Sequence, residues 1–197
     1  TNQRRSAGDE LKTLLFVSTA HPRYLFRFNS SPVGSQWEEY FAWQSRFLCA
    51  ISDRLRVHVL FRPSQHDYGH AIRQRLSERF AEVGWDRGAP FAQRLKQVRL
   101  VVIDHSATTF LEALAVNVPT ILFWDPHRWE VRQAAKPFME GLRDAGILWS
   151  TPEAAAAHAE TVYGDPWTWW GSEPVQEVRR RFVQQYALGR KDWPDRW

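Results

Sequence analysis

One stretch constrains the fold more than any other: LVVIDHSATTFLEALAVNVPTILFW, residues 100–124. Leu100-Val101-Val102-Ile103 is a β-branched apolar run, Asp104-His105-Ser106 a polar turn, and Ala107 to Val116 a helix-forming segment. Asn117 closes that helix, and Pro119 opens a second apolar run, Thr120 to Trp124. Two short buried strands joined through a helix cannot form a hairpin. They form a βαβ crossover, whose strands are parallel.

The rest of the chain repeats the pattern. Strands are expected at Lys12 to Thr19, Arg56 to Phe61 and Ile147 to Trp149, besides the two above. Trp37, Tyr40, Phe41, Gln44, Phe47, Leu48 and Ile51 recur at spacings of three and four, which predicts an amphipathic helix from Gln36 to about Asp53. Further helices are predicted over 71–83, 91–98, 129–145, 151–162 and 174–188, the fourth opened by a Thr151-Pro152-Glu153 start signal. Residues 1–11 read as a polar lead-in, 20–35 as a loop and 189–197 as a tail. The expectation is α/β, a Rossmann-like parallel sheet with helices on both faces. At 197 residues it is one domain with a real core.

Composition narrows the function. A lone Cys49 excludes an internal disulfide and a cysteine-based zinc cluster. It fits a reducing compartment, so a cytoplasmic location is expected. The longest apolar runs fall far short of the ~18 residues that span a bilayer, and no signal peptide is visible. The chain begins at Thr1, not Met, which raises the expectation of a longer protein. The net charge of +4 is mostly arginine, because Lys12, Lys96, Lys136 and Lys191 are the only lysines. The basic residues are dispersed among acids, so no nucleic-acid partner is expected. Only Arg179-Arg180-Arg181 forms a run. That run and the tryptophans at 167, 169, 170, 193 and 197 leave peripheral membrane association as a minor reading, against helices locked onto a sheet.

Chemistry concentrates where the strand ending at Ile103 meets its helix. In open parallel sheets ligands settle at the carboxyl ends of strands, and a helix start offers free N–H groups and a positive dipole end. Asp104, His105, Ser106, Thr108 and Thr109 fall there. The three hydroxyls form a candidate cradle for a phosphate or a sugar carboxylate, with His105 beside them as a further phosphate candidate and Glu112 one turn on for ribose hydroxyls. The competing reading makes Ser106 a simple N-cap. Arg62, after the second strand, is a second phosphate candidate, or a solvated surface charge. Asp125 and Glu130, after the fourth strand, are candidates for a base or sugar, or parts of a capped turn. His21 and His66 are weaker loop candidates. The histidines lack ligand spacing, so no metal site is expected; no cofactor is expected besides.

Three blocks, DHSATTFLEALAVNVPTILFWDPHRWEVR (104–132), GILWSTPEAAAAHA (146–159) and WWGSEPVQEVRRRFVQQYA (169–187), together with RYLFRFNSSPVGSQWEEYFAWQSRFL (23–48), resemble a family of bacterial transferases of surface-carbohydrate biosynthesis. More distantly, they resemble the carboxyl-terminal, nucleotide-binding lobe of GT-B glycosyltransferases, including the retaining Kdo transferases. The resemblance implies a donor lobe that takes a nucleotide-activated sugar as substrate. Ser106, Thr108 and Thr109 would face the donor phosphate, and Glu112 its ribose. The glycan or lipid-linked acceptor would bind an amino-terminal lobe absent from these residues. Capsule-type Kdo and sialyl transferases carry a His-Pro pair for the phosphate. Here the second strand ends Arg62-Pro63-Ser64-Gln65, and His21-Pro22 follows a different strand, so that role is not transferred. A lobe taking a CDP-linked polyol phosphate and a non-enzymatic binding module are the alternatives.

Overall fold

The computed structural model describes residues 12–22, 36–86 and 88–187. The lead-in 1–11, most of the loop expected over 20–35, and the tail with Trp193 and Trp197 lie outside the described residues.

Six strands form one all-parallel sheet: β1 (Leu14–Val17), β2 (Val59–Arg62), β3 (Gly84–Trp85), β4 (Leu100–Ile103), β5 (Thr120–Phe123) and β6 (Leu148–Trp149), in the order β3-β2-β1-β4-β5-β6. This is the doubly wound, Rossmann-like arrangement, and the expected fold class holds. β1, β4 and β5 are buried at every position, as strands covered on both faces must be. Alternate residues feed two cores. Leu14, Phe16, Phe61, Val102 and Phe123 face one. Leu15, Val17, Val101, Ile103 and Leu122 face the other.

The first core is covered by α1 (Trp37–Ala50), α3 (Ile72–Arg79) and α7 (Pro152–Val162), with α1 against α7. The second is covered by α5 (Thr108–Val116), α6 (Lys136–Asp144) and α9 (Glu173–Tyr186). Short helices α2 (Asp53–Arg56), α4 (Phe91–Arg94) and α8 (Pro166–Trp170) are the other α-helices among the described residues. None of the described helices is long and apolar enough to cross a membrane.

Several boundaries differ from expectation. α1 stops at Ala50 because Ser52 caps a new turn, its hydroxyl accepting from Leu55 N at 3.2 Å. Arg56, expected in a strand, is in that turn and donates to the carbonyls of Leu48 and Ile51 at the end of α1. β2 therefore starts at Val59 and includes Arg62. The helix expected from Trp129 begins only at Lys136, after a 3-10 turn over Gln133–Ala135. Pro137 would break a helix started at Trp129, but it is tolerated in the first turn of α6. β3 and α8 were not anticipated: two and five residues are too short to show a period.

Two of the carboxyl-terminal tryptophans lock elements together, while Trp167 is exposed. Trp170 is fully buried and donates to Asn117 Oδ1 at 2.8 Å, and Trp169 donates to the Ala145 carbonyl at 3.1 Å. The basic run is engaged too: Arg179 donates to the Leu114 carbonyl, Arg180 pairs with Glu173 and Glu177, and Arg181 lies over Phe138.

Candidate functional site

The strand order reverses between β1 and β4, and a parallel sheet opens a crevice at that switch point, beyond the carboxyl ends of the strands. Ser18 and Thr19 follow β1 there, and Asp104 and His105 follow β4. Tyr40 and Gln44, one turn apart on the buried face of α1, complete the cluster.

Asp104 is its centre, with its side chain only 1% exposed. Oδ1 accepts from the Tyr40 hydroxyl at 2.7 Å, and Oδ2 accepts from Gln44 Nε2 at 2.9 Å. His105 Nδ1 lies 2.9 Å from Oδ1. Tyr40 also accepts from Thr19 N at 3.1 Å, while Gln44 Nε2 reaches Ser18 Oγ at 2.5 Å. Burial, reinforced by the Asp104 carboxylate, pushes the Tyr40 phenol well above its ordinary value, so the hydroxyl stays a donor. On its far side, His105 Nε2 meets Thr109 Oγ1 at 2.9 Å. A hydrogen-bonded chain therefore runs from α1 through Asp104 and His105 to the first turn of α5.

The start of α5 lacks a side-chain cap. Its N-cap residue is Ala107, not Ser106, which sits half-buried in the preceding turn. Thr108 is exposed and Thr109 half-buried. The dipole end and first-turn amides of α5 are thus presented without a competing oxygen of the helix's own cap.

Beside the cluster is a narrow recess of about 20 Å³, room for about one water, open to solvent and lined by Tyr40, Trp43, Asp104, Trp124, Asp125 and Trp129, among others. Arg128 pairs with Glu39 of α1 at 2.5 Å across it. His21 lies over this region, its ring 5.8 Å from Trp129 and 6.1 Å from Tyr40. Burial first, then the neighbouring His105, lowers its pKa to about 4. It is therefore neutral at physiological pH.

The other sequence candidates are distributed as follows. Arg62 ends β2, and its guanidinium is taken by the fully buried Asp86 carboxylate at 2.6 Å and the Ala89 carbonyl at 2.8 Å, with Arg94 on the other Asp86 oxygen. Although burial opposes it, the two guanidinium groups hold the Asp86 carboxyl below its usual range. Glu112 is exposed one turn along α5. Asp125 borders the recess and accepts from His127 N at 2.9 Å, the bond of a capped turn. Glu130 is exposed and precedes α6 by several residues, so it does not open a helix. His66 is exposed in the loop after β2.

Sequence reasoning missed Ser18, Tyr40 and Gln44 as site residues. The available signal was Gln44 itself, an amide on an otherwise apolar helix face, one turn after Tyr40.

A doubly wound parallel sheet with a polar cluster at its switch point defines an α/β protein of the Rossmann-like class. The chain belongs to the LIC12162 family of transferases, whose family model matches residues 1–197. No curated protein matches it.

Proposed function

We propose that this chain is the donor-binding lobe of a glycosyltransferase of bacterial surface-polysaccharide biosynthesis, taking a nucleotide-activated sugar at the switch-point crevice. The observation that carries the reading is the side-chain-uncapped start of α5 directly beside the buried Asp104 cluster. The first-turn amides, with the hydroxyls of Ser106, Thr108 and Thr109, would receive the donor phosphate, and Glu112 its ribose. Asp125, at the rim of the narrow recess, would face the sugar or base from outside it. Charge developing on the departing nucleotide would be stabilised by preorganised amides and the helix dipole. Arg62, occupied by Asp86, is left out of the site. The acceptor, a glycan or lipid-linked molecule, would be presented by a separate lobe, at the cytoplasmic side of the membrane.

A thermal-shift panel of CMP, CDP, UDP, GDP and their sugars tests this. Ligand at a hundredfold excess over its dissociation constant stabilises by about 2.7 kcal/mol, a clear rise in Tm. Thr108→Glu places a carboxylate at the helix start, where the dipole tolerates it, but repels an incoming phosphate. The rise is expected with at least one nucleotide and is lost in this variant. No shift with any nucleotide would leave a non-enzymatic binding module. A shift that survives the substitution would put the anion elsewhere.

A further inference from the structure

We propose that His105, held by Asp104, sets the polarity of the Thr109 hydroxyl, so that an anionic nucleotide-sugar binding at α5 takes up one proton on His105. This rests on the donor-site reading above and deepens it.

Asp104 already accepts from two groups with their hydrogens directed at it, the Tyr40 hydroxyl and the Gln44 amide nitrogen. A carboxylate accepts and does not donate, so the 2.9 Å contact to His105 is Nδ1–H donating to Oδ1. That fixes the tautomer. In the neutral ring Nε2 carries a lone pair, and the Thr109 hydroxyl 2.9 Å away spends its only hydrogen on it. Thr109 then offers nothing but lone pairs outward, the wrong polarity for a phosphate oxygen. It suits a ligand hydroxyl instead.

Protonation reverses the bond. Nε2–H donates to Thr109 Oγ1, and the threonine hydrogen turns outward to donate to the phosphate. One proton passes from solvent to Nε2 as the anion arrives and returns when it leaves; no covalent bond to carbon or phosphorus changes. The Asp104 carboxylate is in place to stabilise the imidazolium. His105 is thus a positioning residue, selecting an anion in one charge state and a hydroxyl in the other.

The surrounding groups leave this ring as the proton acceptor. His21, from the β1 edge, is neutral with a pKa of about 4, and His70 Nε2 behind it donates to the His21 carbonyl. Tyr40 of α1 is held protonated. Glu39 of α1 and Arg128 from the segment after β5 are paired with each other, with Asp125 beside them, and Trp129 is the aromatic ring nearest His105 from that segment.

The test is the affinity of UDP-glucose, GDP-mannose and CDP-glycerol between about pH 5 and about pH 8, the range in which histidine changes charge. These probes are diphosphate diesters without a titrating phosphate proton there. Calorimetry in buffers of different ionisation enthalpy counts the protons taken up. The expected result is tighter binding at lower pH, approaching tenfold per unit, with uptake of up to one proton. Thr109→Val keeps the shape without the hydroxyl and should bind with no proton uptake. Thr109→Ser should restore the uptake. Binding that is pH-independent in the parent, or uptake that survives in Thr109→Val, would overturn the inference while leaving the donor site standing. Failure of every probe to bind at any pH would sink both.

Discussion

His158 shows how a single side chain carries a pH dependence into the fold. Its ring sits between Trp149 and Trp169, with centroids at 5.1 and 4.6 Å, and its Nε2 is buried without a hydrogen-bond partner. Burial lowers its pKa from 6.5, and burial with the adjacent His105 does the same to His21. A histidine held neutral in the fold binds fewer protons than it does unfolded. Its contribution is therefore complete above 6.5 and is lost as pH falls toward the folded-state value, about 4 for His21. Depressed carboxylates such as Asp86 and Glu153 add to acid unfolding only below their ordinary values of 3.8 and 4.5. Between pH 6.5 and 4.5, then, the decline belongs to the histidines. Stability from urea titrations should fall across this window, and His158→Leu should make the fall shallower. An unchanged slope would show that His158 is not a source of it.

At the scale of elements, Asn117 ends α5 and fastens α8 and α9. Its backbone is left-handed at φ 62°, a conformation that asparagine tolerates better than most residues. Its Oδ1 also accepts from Trp170 Nε1 and from Gln176 Nε2. Asn117→Gly keeps the turn and loses only the acceptor, leaving a buried indole N–H unpaired at a cost of about 1–3 kcal/mol. Asn117→Ala adds left-handed strain of roughly 1 kcal/mol. Equilibrium denaturation should therefore rank parent above Gly above Ala. Equal stability of the two variants would show that the backbone conformation is not a separate contribution.

Across the whole molecule, the first core converges on Phe16, at the centre of the sheet on β1. Its ring meets Phe61 of β2 at 5.0 Å, Phe47 of α1 at 5.1 Å and Phe123 of β5 at 5.9 Å. One side chain thus ties three strands to a helix, and it is fully buried. Phe16→Ala should lower the unfolding free energy from urea titration by about 3–5 kcal/mol, by lost transfer energy plus the cavity left behind. A cost below about 1 kcal/mol would mean the neighbouring rings collapse into the space.

The sequence by itself determined what depends on near neighbours: strands at the apolar runs, helices at the three-and-four spacings, the Asn117 stop, and polar residues at the end of β4. Those signals are local, because caps, periods and turns act within a few residues. Strand order was decided only by the tertiary structure, which set β1 between β2 and β4 and so created the crevice. It also carried Tyr40 and Gln44, more than fifty residues away in the chain, onto Asp104, and it drew Arg62 away to Asp86. A buried carboxylate takes whichever donors the packed helices bring within about 3 Å. Which donors those are follows from how α1 packs over the sheet, and no local pattern in the chain encodes it.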